Sequence, residues 1–178
     1  MRLDAGYYRF CLSRLTILLF AFGLLSACAA TSTTIIEEEV VTNQKPMYTY
    51  KSIIVKDFEL NRELYTDAAE AGMSQRDQQY ARIPGELSEL IVRFIKSRPS
   101  FQNVSRNGEP TASTLVLSGR FTSLGRFRVS VVVTLHDGAS GQQVAYFRQT
   151  LWDVLDTTVT ISDLGREVAD FINRIQYK

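Results

Sequence analysis

Leu115-Val116-Leu117-Ser118-Gly119-Arg120-Phe121, followed after a short turn by Phe127-Arg128-Val129-Ser130-Val131-Val132-Val133-Thr134-Leu135, is the stretch whose reading decides the fold. Leu115, Leu117 and Phe121 hold alternate positions of the first run; Phe127, Val129, Val131, Val133 and Leu135 hold alternate positions of the second. Successive side chains of a strand point to opposite faces, so one apolar and one mainly polar set predict strands buried on one side only. Ser123-Leu124-Gly125 and Asp137-Gly138-Ala139-Ser140-Gly141 read as turns, and a third extended segment follows. Thr114 to Thr122, Arg126 to His136 and Gln143 to Val154 are therefore expected as an antiparallel meander. Gly119 within a strand marks a bulge or a close backbone approach.

The apolar face needs a cover, and helical spacing supplies two candidates. Leu87, Leu90, Ile91, Phe94 and Ile95 recur at i, i+3, i+4, i+7 and i+8 behind Pro84, with Glu86 and Glu89 early and Arg93 and Lys96 late. This predicts a helix that starts at Pro84 and ends before Pro99. Thr160-Ile161-Ser162-Asp163 reads as a capping box for a second helix carrying Leu164, Val168, Phe171, Ile172 and Ile175. Tyr48 to Phe58, rich in aromatic and β-branched residues, reads as the first strand, and Phe101 to Val104 as a short one. Between them Asn61 to Arg82 reads as a long polar connection, weakly helical from Arg62 to Ala71. The fold class is α/β in the α+β two-layer sense. It is a mixed, mainly antiparallel sheet of about five strands with two helices on one face, in the order β-α-β-β-β-β-α.

Upstream of this domain, Arg2, Arg9 and Arg14 precede an apolar run from Leu15 to Leu24. That run is too short to span a bilayer, which takes ~20 residues, and it reads as a signal peptide over residues 1–27. Leu25-Ser26-Ala27-Cys28 resembles the bacterial lipoprotein box. The resemblance implies cleavage before Cys28, acylation of Cys28 and, with Ala29 rather than aspartate next, placement on the outer membrane. Residues 28–46 then form a lipidated tether, in which Ile35-Ile36 and Val40-Val41 offer an edge strand as the alternative, and residues 47–178 form a single periplasm-facing domain. The chain of 178 residues carries a net charge of +1, which becomes −1 once Arg2, Asp4, Arg9 and Arg14 are removed. Neither nucleic-acid binding nor an acidic tail is supported. With Cys11 discarded and Cys28 acylated, no disulfide is expected, so stability rests on packing.

The domain is bare of recognisable chemistry. His136 is its sole histidine, and beside Asp137 at a turn it reads as a solvated corner rather than a catalytic pair. Metal ligands are as scarce, Glu37-Glu38-Glu39 reads as a solvated charge run, and Gly119-Arg120-Phe121 lacks the context of a phosphate loop. Tyr146 and Trp152 read as packing residues. No enzymatic activity and no cofactor are expected.

Two motifs carry a family resemblance. Leu115 to Phe121 and the hairpin Leu135-His136-Asp137-Gly138-Ala139-Ser140-Gly141-Gln142-Gln143-Val144 resemble strands of a broad group of periplasm-facing bacterial lipoproteins and relatives. The group includes the curli-secretion-channel lipoprotein, activator lipoproteins of penicillin-binding proteins and the amino-terminal domain of TolB. The resemblance implies a non-enzymatic α/β binding domain: a lipid-anchored accessory protein that docks on or scaffolds an envelope protein, with homo-oligomerisation possible. A lipopolysaccharide-export-type assembly lipoprotein is the alternative within that class; an envelope hydrolase or a ligand carrier lies outside it. Strict alternation sends Ser118, Arg120, Thr122, Arg128, Ser130 and Thr134 to the side away from the helices. Between Arg106 and Arg148 the sequence carries five arginines, Arg106, Arg120, Arg126, Arg128 and Arg148, opposed only by Glu109 and Asp137. Arg120, Arg126 and Arg128 are accordingly the candidate partner-binding residues, since a guanidinium fork suits carboxylate and phosphate, and a solvated charged face is the alternative.

Overall fold

The computed structural model describes residues 34–42, 45–60, 75–125, 127–152 and 157–176. In chain order the elements are β1 (Thr34–Val41), a 3-10 turn (Met47–Thr49), β2 (Ser52–Val55), α1 (Gln75–Lys96), β3 (Asn103–Ser105), β4 (Thr114–Leu124), β5 (Arg128–Asp137), β6 (Gln143–Trp152) and α2 (Thr157–Gln176). The strands make one sheet ordered β1-β6-β5-β4-β2-β3. The meander β4-β5-β6 is antiparallel, β1 adds antiparallel to β6, and β2 lies parallel to both β3 and β4. Parallel neighbours need a crossover, and α1 is the crossover from β2 to β3.

The period of two buries one face as expected. Leu115, Leu117, Phe121, Val129, Val131, Val133 and Leu135 share a core with Leu87, Ile91 and Ile95 of α1 and with Leu164, Val168, Phe171, Ile172 and Ile175 of α2. Both helices therefore lie on the same side, and each such side chain fully removed from water contributes ~1.5–3 kcal/mol. The rings of Phe147 and Phe171 stack 4.9 Å apart where α2 meets β6. Gln149 interrupts this face: it is fully buried and its amide has no partner among the described residues, which costs ~1–3 kcal/mol.

The structure corrects the sequence expectations at several places. The sheet has six strands rather than about five, because Thr34–Val41, inside the stretch that reads as a tether, is the edge strand that the β-branched pairs offer as the alternative. It extends the long β6, whose outer edge would otherwise go unpaired. Within Tyr48 to Phe58 only Ser52–Val55 pairs as a regular strand. Pro84 lies inside α1, not at its start: Gln75 to Arg82, expected as connection, is helical. Its Gln, Ala and Arg residues are good helix formers, and Tyr80 and Ile83 extend the apolar stripe of Leu87 backward. Ser88 Oγ donates to the Pro84 carbonyl at 2.9 Å and accepts from Phe58 N at 3.3 Å. α2 starts at Thr157, so Thr160 to Asp163 is its first turns rather than a cap. Phe127, expected on the buried face, is 73% exposed, because β5 begins only at Arg128 and Phe127 stays in the turn. The Arg62 to Ala71 piece lies outside the described residues.

Gly119 is the close approach that a glycine within a strand foretells. A Cβ there would overlap the ring of Phe58, which is buried and packs on Phe121 at 6.1 Å between centroids. The chain past β2 is held to β4 at this point: Lys56 N donates to Leu117 O, Glu59 N to Gly119 O and Phe121 N to Glu59 O, all within 2.9 Å. The bulge expected as the other possibility falls two residues on, between Phe121 and Ser123. Overpacking a filled site costs ~1–3 kcal/mol. Gly119→Ala is therefore expected to lose that much stability in urea unfolding. Adding Phe58→Leu, which shortens the obstructing side chain, should make the double variant less unstable than the sum of the singles.

Candidate functional site

The face of the sheet away from the helices is polar and ordered in rows by the strand register. One row runs Ser118 (β4), Thr134 (β5), Tyr146 (β6), Val40 (β1); the next runs Arg120, Val132, Arg148, Glu38. Beyond them Thr122, Ser130 and Thr150 come together. Hydroxyls tie the strands across this face: Ser118 to Thr134, Thr122 to Ser130 and Thr150 to Ser130 each meet at 2.9 Å. Cross-strand pairs of this kind add ~0.2–1 kcal/mol each. They also bury Ser130, which alternation alone would leave in water.

An open depression of about 330 Å³ lies on this face. Arg120, Val132, Ser118, Thr134 and Tyr146 line it, the Gly119 backbone forms part of its floor, and Glu59 and Gln143 stand at its sides. Glu59 is brought there by its backbone bridge to Arg120. Among the described residues Arg120 has no carboxylate partner, so its guanidinium is open to an anionic or hydrogen-bonding group set over the hydroxyl row.

Arg106, Arg120, Arg128 and Arg148, the arginines of this set among the described residues, do not form one patch. Arg128 shares the outer face with Arg120, but its register partner is Trp152 and it lies four residues along β5 from Val132, about 13 Å away. Its Nε donates to Ser123 Oγ at 3.2 Å and its guanidinium lies 5.5 Å from the Trp152 ring centroid. Arg106 is on the opposite side of the fold, paired with Asp57 and, at 2.8 Å, with Glu89. Arg148 is half-buried opposite Glu38. Arg126 and Cys28 lie outside the described residues. Glu59 and the floor at Gly119 were not foreseeable as parts of a site, since the isolated bridge that positions Glu59 follows from no periodicity.

His136 and Asp137 are neighbours in β5 and so point to opposite faces. The Asp137 carboxylate turns inward and is fully engaged. It accepts from Ala139 N and Ser140 N, each at 2.9 Å, from Tyr50 Oη at 2.8 Å and from Lys45 Nζ at 3.3 Å. These donors, led by Ser140 N and Tyr50, hold its pKa well below the usual carboxylate range against the opposing effect of burial. Gly141, at φ +70°, closes the turn and donates to Asp137 O at 2.8 Å. Asp137 thus pins the β5–β6 hairpin to the segment entering β2. No group of three His, Cys, Asp or Glu able to hold a metal occurs among the described residues.

No protein-family model matches the chain, and no curated protein sequence is similar to it. Solved structures share its fold. The PelC dodecamer from Paraburkholderia phytofirmans superposes with a TM-score of 0.50 over 80% of this chain and 97% of that one, at 13% identity. A second crystal form of that dodecamer, carrying a single leucine-to-methionine substitution, gives the same values. XCC0632 from Xanthomonas campestris, a DUF330 protein, aligns at 13% identity over 78% of this chain and 89% of its own, with a TM-score of 0.43. The PelC likeness is one of architecture, and at that identity it carries no residue role across.

Two outcomes follow from this geometry. Arg120→Glu, on an exposed position with no ionic partner among the described residues, should leave urea stability unchanged within ~0.5 kcal/mol while removing in-cell crosslinks between this face and its partner. Undiminished crosslinking would show that the face is only solvated. Asp137→Ala should cost ~2–4 kcal/mol at neutral pH, because it strips an ionised acceptor from several donors, the buried Tyr50 hydroxyl among them. Because the folded pKa is depressed, that contribution is complete above the unfolded pKa of ~3.9 and fades as pH falls below it. Chemical-denaturation curves of wild type and variant should therefore converge on acidification.

Proposed function

We propose that this chain is a lipid-anchored, non-enzymatic accessory protein of the bacterial cell envelope. It is held on the outer membrane through acylated Cys28, faces the periplasm, and docks on or scaffolds an envelope protein partner. The observation that carries this is the Leu25-Ser26-Ala27-Cys28 box standing directly ahead of the first strand of a folded domain. One acyl chain gives only marginal binding at ~0.8 kcal/mol per buried CH₂, so the several chains of a bacterial lipoprotein are what make such an anchor stable.

Three features support the reading. The carboxylate next to the domain's histidine is committed to a turn on the other face of the sheet. The outer face offers Arg120 above a hydroxyl row, a surface suited to docking rather than to bond-making. The hairpin and strand motifs resemble those of periplasm-facing lipoproteins, and the fold is shared with PelC, whose solved form is a dodecamer. That likeness favours self-association as well, through the two sheet edges at β1 and β3.

Cells grown with radioactive palmitate test both parts. The wild-type protein should take up label, Cys28→Ser should not, and the labelled species should migrate as an assembly larger than one chain on a native gel. Label persisting in Cys28→Ser sinks the anchor, and a labelled monomer sinks the self-association.

A further inference from the structure

Large exposed apolar side chains are concentrated at one end of the sheet. Phe127 is 73% exposed, Val159 56%, Ile36 45% and Trp152 41%. The register sets Phe127 and Trp152 side by side, with Ile36, opposite Gln149, further along β1. Thr34, the first residue of β1, pairs with Leu151; Trp152 at the end of β6 pairs with Arg128 at the start of β5; Phe127 precedes Arg128. Val159 sits in the first turn of α2, which follows β6. Among the described residues, only Val41 and Tyr48 of the exposed large apolar side chains lie at the opposite end, where β1 finishes and β2 begins.

This is also the end from which the chain leads back to Cys28. The six residues from Cys28 to Thr34 can reach at most ~20 Å, so lipid on Cys28 keeps the start of β1 close to the bilayer. Tryptophan settles at the headgroup level of a membrane, and phenylalanine buries its ring at the headgroup–acyl boundary. The Arg128 guanidinium, lying over the Trp152 ring, places a cation where lipid phosphates would stand.

We propose that this end of the domain is a membrane contact. Phe127 and Trp152 enter the headgroup boundary of the bilayer that holds the Cys28 lipid, and Arg128 is set against lipid phosphate. The proposal rests on the acylation of Cys28 under the function proposed above, and it adds an orientation that a long flexible leash would not impose.

Trp152 is the sole tryptophan of the chain, which makes it a direct reporter. The protein purified from bacterial membranes, its acylation checked by intact mass, is reconstituted into vesicles of phosphatidylethanolamine and phosphatidylglycerol brominated near the headgroup. Trp152 emission should shift to the blue and lose intensity relative to unbrominated vesicles, and Phe127→Ser with Arg128→Ser should lessen that loss. Trp152→Phe combined with Tyr48→Trp moves the reporter to the far end, where quenching should vanish. Acylated protein with unquenched Trp152 overturns the contact while leaving the anchor standing. Equal quenching at both ends overturns the orientation. Emission that responds to protein concentration and not to bromination assigns the patch to a second copy and overturns the proposal. A mass without acyl groups removes the anchor, and the contact falls with it.

Discussion

The contact between the Phe58 ring and the bare Cα of Gly119 is the constraint on which the two halves of the sheet depend. The meander β4-β5-β6 closes by local hairpins, whereas β2 has to come back parallel beside β4 across a long stretch of chain. Local pairings form readily; a parallel pairing bears a loop-closure cost before it gains anything. The short β2 supplies few ladder bonds, so what secures it is the extension past its end, where the backbone from Lys56 to Glu59 continues to bond β4 and the Phe58 ring fills the space over Gly119. A side chain at Gly119 would lift that segment off the sheet. Ser88 ties the same segment to α1, so the crossover helix, the parallel strand and the meander are joined through a handful of atoms.

Asp137 performs the corresponding task at the other end of β4. Hairpin turns fix register, and a register slip of one residue would send the buried set of β5 into water. The Asp137 carboxylate holds its own turn through Ala139 and Ser140 and, through Tyr50 and Lys45, holds the entry to β2 against it. Local turn chemistry and a tertiary clamp are thus carried by one side chain. This gives the marked Leu135 to Val144 motif a structural reason.

How much was legible follows from which signals are local. The meander, its buried face and both helices are written in periods of two and 3.6, and these stand in the structure with boundaries shifted by a few residues, except that α1 begins nine residues ahead of Pro84. The misplaced starts share a cause: Pro84 and Thr160 to Asp163 are start signals by residue type, but chain upstream of each continues the helix, backed at α1 by core positions such as Tyr80 and Ile83. The strand β1 was ambiguous because its two apolar pairs are separated by three glutamates. Only pairing with the long β6 decides between tether and edge. At the candidate site, Arg120 faces outward as alternation requires, and the described arginines are spread out because periodicity fixes a face and not a distance along it. Arg128 and Arg106 were separated from Arg120 by register and by ion pairing, neither of which the sequence displays.

The division of the outer surface that results is physically coherent. If the start of β1 faces the bilayer, the strands lead away from it and the outer face stands sideways to the membrane. Arg120 and the depression then lie clear of the lipid, and the edges at β1 and β3 open laterally, the direction in which copies or partners on the same membrane would meet. The charges of β1 fit that exposure: Glu39 is held by Arg174 of α2, and Glu38 stays on the solvent side, which discourages unplanned strand addition while leaving backbone groups for a matched partner. On that orientation the exposed Phe127 and Trp152 would meet lipid, while the hydroxyls and the open Arg120 guanidinium would keep to water on the side, where their solvation cost is lowest.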